Sequence, residues 1–269
     1  MGLADPGTDE DMTGEASFPL TYVGYYDNES RPVCGVAPVE EQVALYVNGQ
    51  LLVSLMCTPT YLEELALGFL YNEGLIEGLD DVVELQICGD GRSVDVWLTY
   101  DLDMPSHRVI TSGCSGGTTF EDVSDVHHHP VRSDLRVTPR QVTELLSALA
   151  ESSRIYRRTG GVHAAALADG ECLVCVAEDV GRHNALDKVA GVCLRCGHPT
   201  RDRILLSSGR ISSEMVTKAA RMGVPVLVSR TAPTSLSVQL ARAWGITLLG
   251  YVRRHSFRVY AGEERVVTD

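Results

Sequence analysis

Cys114 lies in the segment Thr111-Ser112-Gly113-Cys114-Ser115-Gly116-Gly117-Thr118-Thr119, among glycines and hydroxyl side chains. Structural cysteines usually pack against aliphatic side chains. Here the neighbours offer little apolar surface, and backbone N–H groups are free to face the sulfur. Such surroundings favour the thiolate, the form that does chemistry. A reactive thiol is therefore favoured over an inert loop cysteine.

A second constellation consists of three loops. They are Glu178-Asp179-Val180-Gly181-Arg182-His183-Asn184, Ser207-Ser208-Gly209-Arg210-Ile211-Ser212-Ser213 and Ser229-Arg230-Thr231-Ala232-Pro233-Thr234-Ser235. Each joins an apolar strand pattern to a helical one and combines small residues with an arginine. A helix N-terminus carries free N–H groups and about half a positive charge, so it attracts anions. Asn184, Ser213 and Ser235 are also explained as plain N-caps. The added arginines favour anion or nucleotide binding. No Walker loop and no G-x-G-x-x-G is present. Arg253-Arg254-His255 follows the last core strand and is either a solvated turn or a further phosphate contact at the same edge.

Other candidates point elsewhere. Cys172-x2-Cys175-x17-Cys193-x2-Cys196 has the spacing of a four-cysteine zinc site. Yet the first pair falls in an apolar strand, where an odd separation aims side chains to opposite faces. Cys193 and Cys196 share a helix face and are expected to pack. His127-His128-His129 reads as an exposed loop, since consecutive residues rarely aim three rings at one ion. His163-Ala164-Ala165 has the place of the H-x-E of zinc deaminases without its glutamate, and no Pro-Cys-x-x-Cys follows. No resident metal is expected. His183 is open to three roles: acid or base, phosphate donor, or structural residue.

The elements that must hold these residues divide the chain. Residues 1–16 form an acidic leader, with Asp5, Asp9, Glu10, Asp11 and Glu15 ahead of any basic residue, and are expected to be disordered. Residues 17–137 read as a β-rich domain that includes the Cys114 loop. Val43–Val47 and Leu51–Met56 flank the turn Asn48-Gly49, and Val82–Cys88 and Ser93–Leu98 flank Asp90-Gly91. Thr60 with Glu63 predicts a capping box opening a helix over 61–73. Residues 138–269 read as an α/β domain. It opens on Thr138-Pro139 with Gln141, a helix start that carries proline at its first position. Strands at 162–168 and 171–177 follow. Helices over 184–196, 212–222 and 235–244 alternate with strands at 203–207, 224–229 and 246–251, and Ser256–Tyr260 forms an edge strand. This rhythm implies a sheet covered on both faces.

Hydrophobic residues make up 44% of the 269, enough for a sizeable core, and the net charge is −13. That charge argues against a general nucleic-acid or membrane-surface binder, so an anionic ligand needs a local basic site. No apolar run approaches the ~18 residues of a membrane span, and no signal-peptide pattern opens the chain. The expectation is a cytoplasmic protein with its eight cysteines reduced.

Four blocks resemble one family, the formate dehydrogenase accessory sulfurtransferases (FdhD). They are Gly160-Gly161-Val162-His163-Ala164-Ala165-Ala166, the run Glu178 to Lys188, Ser208-Gly209-Arg210 through Lys218, and Ala232-Pro233-Thr234-Ser235-Leu236. Their order and spacing match across about 160–260, and the N-terminal half fits more weakly. The resemblance implies a cytidine-deaminase-like, three-layer α/β C-terminal domain without the metal site, beside a smaller β-rich N-terminal domain. It implies a homodimer. It implies that Cys114 takes sulfur as a persulfide from a cysteine desulfurase and passes it to the molybdenum bis(molybdopterin guanine dinucleotide) cofactor of the formate dehydrogenase catalytic subunit. Cofactor binding maps onto Tyr251, Val252, Arg253, Arg254, His255 and Ser256. The loops are expected to add Gly181, Arg182, His183, Asn184, Ser208, Gly209, Arg210, Thr234 and Ser235, with GDP as a partial mimic. One departure stands out: the family pattern Cys-Gly-x-Cys-Gly reads Cys114-Ser115-Gly116-Gly117-Thr118 here, so the second cysteine is missing. A guanine-nucleotide or molybdenum-cofactor chaperone without sulfur transfer is the alternative, followed by a metal-dependent nucleoside hydrolase or deaminase.

Overall fold

The computed structural model describes residues 16–88, 91–103, 109–110, 118–119 and 130–268. Cys114 and His127-His128-His129 lie outside the described residues. A two-stranded ribbon comes first, pairing β1 (Ser17–Tyr26) with β2 (Glu29–Pro38). Its turn residues Asp27 and Asn28 both take positive φ, 49° and 68°, the geometry that two-residue hairpins favour. The sequence pattern did not announce this ribbon, because neither face is cleanly apolar.

A four-stranded sheet follows, in the order β4-β3-β6-β5, from β3 (Glu41–Val47), β4 (Gln50–Cys57), β5 (Val82–Ile87) and β6 (Ser93–Leu98). Val43, Leu45 and Val47 alternate inward and pack with the buried face of α1 (Leu62–Asn72). Its expected capping box is not formed. The helix begins one residue later, at N-cap Tyr61 with φ 53°. The Thr60 hydroxyl instead accepts from Lys188 Nζ at 3.4 Å. A tertiary partner has taken the side chain that local chemistry assigned to the cap. Backbone pairing between β7 (Val109–Ile110) and β8 (Thr118–Thr119) brackets the Cys114 segment.

The second half is built on a six-stranded sheet, ordered β10-β9-β11-β12-β13-β14. Its strands are β9 (His163–Ala168), β10 (Leu173–Asp179), β11 (Ile204–Ser207), β12 (Val226–Ser229), β13 (Thr247–Arg253) and β14 (Ser256–Ala261). Strands β11, β12 and β13 run parallel; β9 is antiparallel to β10 and β11, and β14 to β13. One face carries α2 (Pro139–Ser152), whose Val142, Leu145, Leu146 and Leu149 pack with Ala164, Leu206 and Val228. The other carries α4 (Arg182–Cys196), α5 (Ser213–Arg221) and α6 (Ser235–Trp244), with Leu186, Met215 and Trp244 packing with Leu205 and Leu227. The result is the expected three-layer α/β arrangement. Helix α2 starts where expected, with Pro139 at its first position, and Thr138 and Gln141 close a capping box there. A short α3 (Arg154–Thr159) follows it and ends on Gly160, φ 69°.

Helix α1 of the first half lies across α4 of the second. A Cβ on Gly68 would stand 1.8 Å from Asp187 O, and one on Gly191 would stand 1.9 Å from Glu64 O. Only glycine permits that approach. Beside the crossing, Lys218 Nζ binds Asp187 Oδ2 at 2.6 Å, and Asn72 Nδ2 reaches Asp187 Oδ1 at 2.7 Å. Among the described residues no helix is long and apolar enough to cross a membrane.

Candidate functional site

The three arginine-bearing loops gather where β10, β11 and β12 end, the edge at which open α/β sheets bind ligands. The first loop is held from below. Asp179 accepts hydrogen bonds from Thr58 N (3.0 Å), Gly181 N (2.7 Å) and Asn184 Nδ2 (3.0 Å). Lys188 Nζ closes on its other side at 2.6 Å, and neither side chain of this pair has any exposure. Helix α4 starts at Arg182 with Gly181 as N-cap, so Asn184 is not the cap that sequence reasoning made it. Its amide instead also donates to Met56 O at 2.8 Å. The caps of α5 and α6 are likewise Ser212 and Thr234, not Ser213 and Ser235.

Arg182, His183 and Asn184 are buried. His183 Nε2 lies 3.0 Å from Ser212 Oγ and 3.1 Å from Glu214 Oε2. Burial, followed by the charges of Lys218 and Arg182, pushes its pKa down to about 2. The ring is therefore neutral at pH 7, and its contact with Glu214 is a hydrogen bond rather than an ion pair. His163 is depressed too, by burial first and then by Arg182. Its Nδ1 is 3.5 Å from Ser208 Oγ, which accepts from Ala164 N at 2.9 Å. Gly209 makes this packing possible: a Cβ there would meet Arg182 Cβ at 2.9 Å and His163 Nδ1 at 3.2 Å.

Two adjoining clefts open on the α2 side of this edge. The larger, about 670 Å³, is lined by Arg140, Thr143, Glu144 and Ser147 of α2, by Arg230, and by Val252, Arg253, Arg254 and His255. The smaller, about 450 Å³, runs past Tyr156, Gly160, Gly161, His163, Ser208 and Thr231. Leu146, Ala150, Arg230 and Arg253 border both. Arg253 donates to Arg230 O at 2.5 Å and to Val252 O at 2.9 Å, fixing the strand end against the third loop. Four arginines and a histidine thus face one cavity, opposed there by the carboxylate of Glu144. Guanidinium groups in this arrangement suit a phosphate-bearing ligand.

The structure brings together Val252, Arg253, Arg254, His255 and Ser208 from the expected set. Gly181, Arg182, His183 and Asn184 stand behind them as the packed base of the edge. Gly209 carries a backbone contact, its carbonyl accepting from Ser229 Oγ at 2.6 Å. Arg210 and Ser235 are exposed, and Thr234 caps α6 through Ser237 N; none of the three lines either cleft. Tyr251 and Ser256 flank the segment. Tyr251 takes φ 52° and its ring sits under Arg258 at 4.3 Å. Sequence reasoning missed Arg140 as a site residue. The available signal was the polar line Arg140, Glu144, Ser147 opposite the apolar face of α2.

The four-cysteine spacing does not assemble. Cys175 Sγ faces Cys193 Sγ at 3.8 Å, whereas Cys172 precedes its strand and points at Asp169. Cys193 packs as expected, but Cys196 is exposed, because it sits in the last turn of α4 beyond the core. Among the described residues no three metal-ligating side chains converge. Cys57 is buried, and burial together with Asp179 raises its pKa to about 12, so it is inert.

Residues 38–267 match the FdhD/NarQ family. The sulfur carrier protein FdhD of Staphylococcus haemolyticus is 38% identical over 232 residues, covering 84% of this chain and 88% of the relative. The sulfur carrier protein FdhD of Staphylococcus aureus (strain MRSA252) is 36% identical over 261 residues, covering 95% and 98%. Among solved structures, a putative formate dehydrogenase accessory protein from Desulfotalea psychrophila superposes with a TM-score of 0.78 at 27% identity, covering 94% of this chain and all of that one. A match across the sheet, the three loops and the strand end, at this identity and coverage, makes the chain a member of the FdhD/NarQ family.

Proposed function

We propose that this chain carries sulfur for the maturation of formate dehydrogenase. In this reading the Cys114 thiolate attacks the outer sulfur of a desulfurase persulfide. A sulfur–sulfur bond forms on Cys114, and the desulfurase cysteine leaves as a thiolate. The molybdenum bis(molybdopterin guanine dinucleotide) cofactor is the cargo that receives the sulfur, and the formate dehydrogenase catalytic subunit is the client. The protein works in the cytoplasm as a homodimer.

The observation that carries this reading is the arginine-rich cleft on an acidic chain. Arg140, Arg230, Arg253, Arg254 and His255 converge in a molecule of net charge −13. Non-specific attraction of anions is thereby excluded, and the cleft is a local, shaped exception. Its volume lies within the ~300–1,000 Å³ of small-molecule sites. In the adjoining cleft Ser208 and His163 add hydrogen-bonding groups. The missing second cysteine at Gly117 favours one rival, a cofactor chaperone without sulfur transfer.

Two measurements test the reading. Incubation with a cysteine desulfurase and cysteine should add one sulfur to the Cys114 peptide by mass spectrometry. No adduct, together with full formate dehydrogenase maturation by Cys114→Ala, establishes the chaperone instead. Calorimetric titration should show GDP binding that Arg253→Ala and Arg254→Ala each weaken about tenfold, the loss of one charge-assisted hydrogen bond of ~1.5 kcal/mol.

A further inference from the structure

Two cysteines outside the candidate site face each other between the large sheet and α4. Cys175 lies on β10 and Cys193 in the last turn of α4, and their Sγ atoms stand 3.8 Å apart. Bringing them to the ~2.05 Å of a disulfide requires a shift of only ~2 Å. Both carriers have room to give. Strand β10 is the outer strand of its sheet, and its register against β9 shifts between Leu173 and Cys175. The turn that carries Cys193 is the one that unwinds at Gly197, φ 66°.

The two thiols are not equivalent. Cys175 is half-buried and Cys193 is buried. The hydrogen bond from Cys193 holds the Cys175 thiol below its ordinary pKa, against the opposing effect of burial. The same bond, and then burial, pushes the Cys193 thiol up. Cys172, nearby on the chain, is held the other way: its sulfur points at Asp169, whose carboxylate raises its pKa. A more acidic thiol open to solvent, with a protonated thiol directly behind it, is the arrangement of an attacking and a resolving cysteine.

We propose that Cys175 and Cys193 form a redox pair, which hydroperoxides oxidise to a disulfide that clamps β10 to α4. The Cys175 thiolate attacks one oxygen of hydrogen peroxide. A sulfur–oxygen bond forms, the oxygen–oxygen bond breaks, and the hydroxide that leaves takes a proton from solvent to become water. The Cys193 sulfur then attacks the sulfenic sulfur. The sulfur–sulfur bond forms, the sulfur–oxygen bond breaks, and the Cys193 proton leaves with the departing hydroxide as a second water. The two thiols lose two electrons and the peroxide gains them. The oxidant is small because Cys175 is only partly open and Cys193 is 2% exposed. The bond closes residues 175–193 into a ring. That ring holds the end of β10, most of α4 and the loop between them, with Gly181, Arg182, His183 and Asn184. Oxidation therefore fixes the first of the three loops at the base of the arginine-bearing edge. The pair stands apart from the sulfur-carrier reading, since its chemistry needs neither Cys114 nor a bound cofactor.

Peptide mass spectrometry on the full chain tests the inference. Reduced protein is treated with a small excess of hydrogen peroxide, its remaining thiols are alkylated, and it is digested. The Cys175 and Cys193 peptides should appear linked, lighter by two hydrogens than their sum, and dithiothreitol should separate them. A ring of this length should also raise the melting temperature by ~6–12 °C over the reduced protein. Cys175→Ser and Cys193→Ser should each lose both the link and the shift, whereas Cys172→Ser and Cys196→Ser should keep both. If Cys193→Ser does not fold, Cys175→Ser, at the more exposed thiol, decides. The proposal is overturned if neither thiol is oxidised, if Cys175 runs on to the sulfinic acid unlinked, if it links to a different cysteine, or if the linked protein melts where the reduced one does.

Discussion

Replacing Lys188 with methionine and, separately, Asp179 with alanine should destabilise the protein by unequal amounts. The two groups form a fully buried ion pair at 2.6 Å. Lys188 Nζ also donates to Thr58 O at 2.9 Å and Glu178 O at 3.2 Å. After Lys188→Met, the Asp179 carboxylate still accepts three N–H groups, from Thr58, Gly181 and Asn184. Breaking a buried pair costs ~3–5 kcal/mol, and the remaining donors place this variant near ~3 kcal/mol. After Asp179→Ala the ammonium is left with oxygen dipoles alone, and three N–H groups, two of them buried, lose their acceptor. Each unmet donor adds ~1–3 kcal/mol, which carries the total beyond ~5 kcal/mol. That exceeds the stability of many domains, which spans ~5–15 kcal/mol. Urea titration followed by tryptophan fluorescence should show Lys188→Met folded with a lowered midpoint and Asp179→Ala largely unfolded. At ~2–4 °C per kcal/mol the methionine variant should melt ~6–12 °C lower. A Lys188→Met loss below ~0.5 kcal/mol, or the reverse order of the two variants, refutes the reasoning.

Two further outcomes follow from geometry and titration. His183 has a folded pKa of about 2, below the unfolded value of 6.5, so it favours the folded state fully above pH 6.5 and progressively less as pH falls. At ~1.4 kcal/mol per pH unit, its share of the loss between pH 6.5 and 5 is ~2 kcal/mol; His183→Asn should show a correspondingly flatter stability–pH curve in that window when unfolding is measured at each pH. Gly68→Ala drives a methyl group into Asp187 O and should cost ~3 kcal/mol or more as overpacking, whereas Gly78→Ala, with nothing within 4 Å, should leave the melting temperature unchanged.

Local rules were enough to read the second half of the fold. Helix ends at Gly197, Gly223 and Gly245 take the left-handed conformation expected of C-terminal glycines, and Asn48-Gly49 makes its hairpin turn. The failures have a common physical origin. Thr60 and Asn184 have cap-forming side chains, but Lys188 and Met56 claim them from far along the chain. Lys188 and Lys218 are residue types that local reasoning places in solvent, yet both are buried because distant partners meet them. The cleft was half legible. Val252 to His255 and the arginine loops lie at the predicted edge, but no local pattern says that α2 carries Arg140 to it.

The glycine crossing of α1 and α4 has a consequence for synthesis. Gly68 and Asp187 meet only after more than a hundred intervening residues have been made, as do Thr58 with Asp179 and Asn72 with Asp187. The first half therefore leaves the ribosome with one side of α1 uncovered and waits for α4 to close it. Contacts so distant in sequence are slow to form, because loop closure precedes the energy they return. During that interval the exposed apolar strip of the nascent N-terminal half is a natural substrate for general folding chaperones, and neither half has a reason to persist as a folded fragment.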